Sequence, residues 1–272
     1  MPVYDVHCHI LPNIDDGAKD LKIALEMARI AENDGITNLA CTPHIYPGLY
    51  ENTTAGIATA VDLFQNELLQ QGIDLELSYG ADIQVVPELV ANMRSGAFPC
   101  INQSRYFLFE PSHHVPLSNF DQFIFDTISA GFVPVITHPE RLHWLDDDHY
   151  PTFLAAVQAG AWIQLTAGSV TGRFGRGPKY WSDKMLDDGI VHLLATDAHN
   201  TRSRAPLLAE GALAAAKIVG KEEAMRLVTL RPGAIWEDID PRKVPAPPGF
   251  SQNGELMPQR KAGFFGRLLQ KL

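Results

Sequence analysis

Two stretches far apart in the chain carry metal-type ligands at alternate positions: Asp5-Val6-His7-Cys8-His9 near the start, and Thr196-Asp197-Ala198-His199-Asn200 downstream. On a β-strand, residues i and i+2 point to the same face, so each pair aims two ligands one way. Between them His44, Asp82, Glu110 and His138 each stand at the C-terminal end of an apolar run. Imidazole nitrogens and carboxylate oxygens without thiolates suit Mn, Fe or Zn rather than an iron–sulfur or structural cysteine site. A single His at a strand end is ordinarily a hydrogen-bonded structural residue. The repeated pattern instead points to one metal site assembled by the fold. His113, His114, His143, His149 and His192 have no partner at strand spacing. They are expected at the surface or around the ligands, with His114 and His143 at the mouth.

Such a site needs strands whose ends meet. Apolar β-type runs fall near 3–10, 37–43, 75–85, 105–111, 132–137, 161–166 and 191–196. Helical spacing occupies 20–34, 53–71, 119–130, 152–159 and 178–188, with further helices at 203–219 and 221–230. Gly35, Gly72, Gly131, Gly160 and Gly189 close helices just before strands. Strands alternating with helices give a parallel sheet, and strands sharing one mouth fit an α/β barrel, where functional residues sit at the C-terminal strand ends. The strand without a terminal candidate ligand ends in Gln164-Leu165-Thr166.

At 272 residues the chain suits a single barrel domain, expected over 1–240. Pro241, Pro245, Pro247, Pro248 and Gly249 mark a linker opening a distinct segment, 241–272. Its end, 260–272, reads as a basic amphipathic helix with Phe264, Phe265, Leu268, Leu269 and Leu272 able to share one face. Docking to an anionic membrane or to a membrane-bound partner is one expectation for it; a loosely packed tail is the other, since so short a helix is marginal alone. The net charge of −10 argues against nucleic acid as a partner. Three cysteines without framework spacing favour a reducing compartment, and with no signal-peptide pattern the expected location is cytoplasmic.

The blocks around these ligands, in order, are Asp5-Val6-His7-Cys8-His9, Asp15-Asp16-Gly17, Thr42-Pro43-His44, Tyr79-Gly80-Ala81-Asp82, Phe107-Leu108-Phe109-Glu110, His138-Pro139-Glu140-Arg141 and Asp197-Ala198-His199-Asn200 with Ser203-Arg204. Together they resemble the PHP (polymerase and histidinol phosphatase) superfamily. Within it they are similar to the CpsB/CapC-type bacterial protein-tyrosine phosphatases of capsule and exopolysaccharide clusters. The resemblance runs from about residue 3 to about 235. It implies a distorted (β/α)7 barrel holding three divalent metal ions, usually Mn, with Fe or Zn as alternatives. By the same resemblance His7, His9, Asp82 and Asp197 would hold one ion. Asp82, Glu110 and His138 would hold a second, with Asp82 bridging, and Asp16, His44 and His199 the third. Arg141 and Arg204 would contact the phosphate. The implied substrate is a phosphotyrosine protein, a membrane tyrosine autokinase, through which polysaccharide synthesis would be regulated.

The chemistry is consistent with those roles. A phosphomonoester dianion needs positive charge on its oxygens, which cations and guanidinium forks supply. A hydroxide between metals would attack phosphorus directly, because coordination lowers the pKa of water. His44 or His199, if partly free of its metal during turnover, could deliver a proton to the leaving phenolate. Cysteine-phosphatase chemistry is excluded by spacing: it needs Cys-x5-Arg, and the residues six after Cys8, Cys41 and Cys100 are Ile14, Pro47 and Tyr106. Two positions depart from the family pattern. Asp82 stands where Glu is usual, one methylene shorter, so metal spacing or occupancy is expected to differ. Arg231-Pro232 stands for Asn-Pro, an expected packing difference. The competing functions are a small-molecule phosphatase such as histidinol phosphatase, a PHP nuclease module, which the acidic balance disfavours, and a catalytically silent metal-binding scaffold.

Overall fold

Each apolar run becomes a short strand whose last residues turn into a loop, and the strands run in one direction. The computed structural model describes residues 1–251 and 253–257. Its strands are β1 (Tyr4–Cys8), β2 (Asn38–Cys41), β3 (His44–Ile45), β4 (Glu76–Tyr79), β5 (Asp82–Gln84), β6 (Tyr106–Glu110), β7 (Val133–Thr137), β8 (Trp162–Thr166) and β9 (Leu193–Ala195). Pairing is parallel throughout, in the orders β1-β2-β4 and β3-β5-β6-β7-β8-β9. β2 and β3 are one stave interrupted at Thr42-Pro43, and β4 and β5 one stave interrupted at Gly80-Ala81. The ring returns to its start where Cys8 bridges Ala198, with His9 N donating to Ala198 O (2.9 Å) and Asp197 N to His7 O (2.8 Å). Seven staves thus form the distorted (β/α)7 barrel that the family resemblance implies.

The helices are α1 (Leu21–Asp34), α2 (Thr54–Gln70), α3 (Leu89–Ser95), α4 (Phe120–Ser129), α5 (Tyr150–Ala159), α6 (Ala167–Thr171), α7 (Arg176–Asp187), α8 (Ala209–Val219), α9 (Lys221–Arg226) and α10 (Leu230–Trp236). α1 shows the local logic. Asp20 caps it by accepting from Ile23 N (2.8 Å), and Gly35 ends it in the left-handed region at φ 95°. Between these stops Ala24, Met27, Ala28 and Ala31 recur at helical spacing and are buried against the sheet. This outer layer continues through Phe64, Leu68, Phe107, Phe109 and Phe153, while Tyr106, Leu108, Val135, Trp162 and Leu193 form a second cluster with α10. Burying a side chain such as Phe64 contributes ~1.5–3 kcal/mol.

Three helices, α3, α6 and α10, are too short to show a period in sequence. The helix expected over 203–219 starts only at Ala209. Pro206 biases Ala205 away from helical backbone, and the free amides of Leu208 and Ala209 are met by Asp34 Oδ2 at 2.6 and 2.8 Å. The expected 221–230 helix stops at Arg226.

Residues 241–257 lie against the barrel. Fully buried Arg231 pairs with Glu223 (2.7 Å) and donates to the carbonyls of Pro245 (3.0 Å), Ala246 (3.2 Å) and His192 (3.4 Å). Gly249 N donates to Gly189 O (2.9 Å), and Leu256 N to Gln158 Oε1 (2.6 Å). The Arg231 departure is therefore a clamp on the Pro-rich segment. The amphipathic helix expected over 260–272 lies outside the described residues. Among those described, no helix is long and apolar enough to cross a membrane.

Candidate active site

The C-terminal strand ends gather every ligand expected from the sequence. β1 supplies buried His7 and the residue just past its end buried His9, β3 His44, β5 Asp82 and β6 Glu110. The turns after β7 and β9 supply His138 and Asp197, both with left-handed backbone (φ 34° and 49°), and the next turn His199. Positive φ at a non-glycine is uncommon and clusters at functional turns. Asp16 reaches in from the loop after β1, its Oδ1 3.2 Å from His199 Nε2 and 3.5 Å from His44 Nε2. That loop can pass so close because of Gly17, where a Cβ would fall 2.0 Å from His9 O.

The donor atoms form overlapping sets, all members of each within 4.8 Å of one another: His9/Asp16/His44/His199, His7/His138/Asp197, His7/His9/Asp82, His44/Asp82/Glu110 and Glu110/His113/His138. Asp82 is central, its Oδ2 lying 3.4 Å from His7, 3.7 Å from His44 and 3.9 Å from His138. Asp197 Oδ1 faces His7, His9 and His199, each at 3.5 Å. Asp197 Oδ2 takes both arginines, Arg204 at 2.7 Å and Arg141.

Neighbours that the sequence left unassigned decide which nitrogen each His presents. The Gln164 amide oxygen only accepts, so His7 Nδ1 donates to it (2.9 Å). The strand lacking a ligand thus orients one. His9 Nδ1 donates to Asp15 Oδ2 (2.7 Å), and Asp15 also receives the amides of Gly17 (2.8 Å) and His44 (3.1 Å). These bonds leave Nε2 as the ligand-side nitrogen of both His7 and His9, the two facing each other at 3.2 Å. Asp5 joins β1 to β9 by accepting from Thr196 N (3.0 Å) and its hydroxyl.

The electrostatics test whether a cation fits. Burial alone would lower His7, but Asp82 and Asp197 push it up to about 9. Burial would raise Asp82, yet His7, His44 and His9 hold it below its ordinary range. Asp197 lies well below that range despite burial, because Arg204, His7 and Arg141 surround it. Burial, and then neighbouring imidazoles at His9 or Arg141 at His138, keep those two rings neutral, their pKa values far down. Asp82 Oδ2 is buried without a hydrogen-bond partner. Carboxylates that draw a proton onto a fully buried imidazole, and a buried carboxylate oxygen left unpartnered, both call for positive charge at this point, and divalent cations in place of that proton meet the need.

The site opens into a cleft of about 400 Å³ walled by Tyr46, Leu49, Tyr50, Ser112, His114 and both arginines. Tyr50 stacks on His44 (5.6 Å between centroids, 14°). Arg141 does not pair with Glu140, which is buried and accepts from Thr166 N (2.9 Å); it faces Asp197 and lies over Phe174. His114 lines the mouth, His143 the cavity beside it, and His149 donates to Asp146 at the surface. His192 corrects the expectation of a surface or near-ligand place. It is buried at the opposite barrel end, stacked on Trp162, because its Nδ1 accepts from Ile163 N (3.1 Å). Arg173 is tied up with Glu210. Cys8 and Cys41 are fully buried with their thiols pushed far up by burial, and Cys100 is pushed to about 12, so none offers a thiolate.

Comparison with known proteins agrees with this arrangement. The family model for capsular polysaccharide synthesis, CpsB/CapC, matches residues 3–237. The tyrosine-protein phosphatase YwqE of Bacillus subtilis (strain 168) is 36% identical over 202 residues, spanning 74% of this chain and 78% of that protein. The tyrosine-protein phosphatase CpsB of Streptococcus pneumoniae is 26% identical over 244 residues, 86% of this chain and 98% of that one. A solved structure from work on YwqE and CpsB, described as unique metal-dependent tyrosine phosphatases, superposes with a TM-score of 0.81 at 31% identity, covering 86% of this chain and 94% of that chain.

Proposed function

The chain belongs to the CpsB/CapC family of capsular polysaccharide synthesis, and from that premise we propose that it is a metal-dependent protein-tyrosine phosphatase. The observation that carries the reading is the meeting of Arg141 and Arg204 at Asp197, which puts two anion-binding forks beside the ligand shell in one cleft. His7, His9, Asp16, His44, Asp82, Glu110, His138, Asp197 and His199 would hold the ions; we assign three, with Mn first and Fe or Zn as alternatives. When bound, divalent cations supply charge to the phosphate oxygens and acidify a coordinated water.

The chain's own groups do the rest. Arg141 and Arg204 exchange Asp197 for the equatorial phosphate oxygens, a fork geometry that lysine cannot copy. Tyr46, Leu49 and Tyr50 offer the phenyl ring an apolar wall. His44 and His199 both face Asp16 at the mouth, and either one, when released from its ion during turnover, would return a proton to the phenolate oxygen. The cysteines take no part.

The partner we propose is a bacterial tyrosine autokinase of the polysaccharide machinery, a reading supported by the family's link to capsule synthesis. A cytoplasmic location, with peripheral membrane contact through 260–272, completes the proposal.

The test is phosphate release from a phosphotyrosine peptide beside histidinol phosphate, on chelator-stripped protein with Mn²⁺ restored. Metal-dependent turnover of the peptide alone is expected. Turnover of histidinol phosphate alone would move the activity to small molecules, and silence on both with metal bound would favour a scaffold.

A further inference from the structure

His113 stands apart from the nine residues named above, yet it occupies a ligand's place. Its Nε2 lies 3.3 Å from Glu110 Oε1, which is itself 3.7 Å from His138 Nε2. The three donor atoms lie within 4.8 Å of one another, and the His113 and His138 rings are 5.1 Å apart. Glu110 can serve two sides, since its other oxygen, Oε2, faces His44 at 3.6 Å. Asp82 cannot do so as readily. Its Oδ1 faces the Thr137 hydroxyl (3.5 Å), leaving Oδ2 alone to meet three imidazoles, of which His138 is the farthest at 3.9 Å. The Glu110–His138 corner is therefore the one that a short carboxylate at position 82 serves least.

The loop carrying His113 is held firmly. His143 N donates to His113 O (3.0 Å), Trp144 Nε1 to Ser112 O (2.7 Å) and Val115 N to Ser112 Oγ (3.3 Å). A pre-positioned side chain loses less freedom on binding. His114 shares the loop but turns away, its Nδ1 3.2 Å from His143 Nδ1.

We propose that His113 is itself a metal ligand, completing a Glu110/His113/His138 corner for one divalent ion. A second imidazole beside a single carboxylate moves that corner's preference from Mn²⁺ toward Zn²⁺ or Fe²⁺. The inference deepens the metallophosphatase reading and rests on its metal site, and it is independent of which phosphoester is cleaved.

The experiment uses the full chain and His113→Ala, His113→Asp and His114→Ala. Metal content is measured after saturation with Zn²⁺ or Mn²⁺, affinity by chelator competition, and the visible spectrum after Co²⁺ loading. His113→Ala should lose one equivalent, or hold it at least about tenfold more weakly than the parent, with an altered Co²⁺ spectrum. His113→Asp should restore binding and His114→Ala leave it unchanged. Metal content, affinity and spectrum of His113→Ala equal to the parent's would overturn the proposal, as would loss of the equivalent in His114→Ala alone. A parent that binds no metal would overturn the metal reading as well. Turnover of another phosphoester would overturn only the substrate reading.

Discussion

The two ends of the barrel bury the same kinds of residue and use them differently. At the closed end Arg231 is wholly enclosed, but Glu223 and three carbonyls meet its guanidinium, and His192 is stacked and hydrogen-bonded. At the open end Asp82 Oδ2 has no donor, and the His7 and His9 nitrogens confront each other. Satisfied buried polarity holds a structure together, whereas convergent unsatisfied polarity waits for a ligand. A buried ionisable group is informative only through what its neighbours leave undone.

The sharpest way to break that contrast is to remove one group at each end. His138→Ala should cut turnover at least about 10²-fold, beyond the usual loss from an outer-shell change, while the metal-stripped protein keeps its urea midpoint. Arg231→Ala should show the reverse. It leaves Glu223 Oε1 without its partner, only the Arg226 contact at 3.3 Å on the other oxygen remaining, and three carbonyls without their donor, at a cost of up to about 3–5 kcal/mol, with kcat/KM of the remaining folded protein unchanged. If Arg231→Ala abolished turnover without loss of stability, the division between the ends would fail.

Within the open end, Arg141→Ala should lower kcat/KM on the order of 10²-fold, and Arg141→Lys should recover little of it, because a point charge lacks the fork. Full recovery by Lys would reduce Arg141 to a charge. Gln164→Ala removes only the partner that fixes His7, so metal affinity should weaken by about 10–100-fold. Chelator competition reads this, and unchanged affinity would mean that His7 orients itself.

The smallest effect belongs to the closed end. Burial, followed by the Arg231 charge, keeps the His192 pKa well below its ordinary value. Its stabilisation is therefore present above the unfolded pKa of about 6.5 and is lost as pH falls, by about 1.4 kcal/mol per unit at most. In metal-free protein, His192→Gln should flatten the stability slope below pH 6.5, and an identical slope would show that the titration lies elsewhere.

Much of this was legible in the residues because a strand's period is short. His7 and His9 must share a face, Cys8 must turn away, and an apolar run ending in His, Asp or Glu marks a strand end. The resemblance then added Asp16, Arg141 and Arg204, which spacing alone would not single out. Gln164, Asp15 and His113 escaped because nothing local separates them from loop or strand polarity. The meaning of Gln164 and Asp15 lies in partners 157 and 6 positions away along the chain, and that of His113 in Glu110 together with His138, 25 positions on.

By itself, then, the sequence determined the alternation of elements, the inward aim of the ligands and the donor chemistry of a divalent-metal site, since these follow from period, side-chain type and order. Tertiary structure alone decided that β9 returns to β1, that His192 and Arg231 are structural, and that Arg141 faces Asp197 rather than Glu140. The reason is physical: closing a ring of staves brings distant residues within hydrogen-bond range, and only there does burial separate groups that are satisfied from groups that are not.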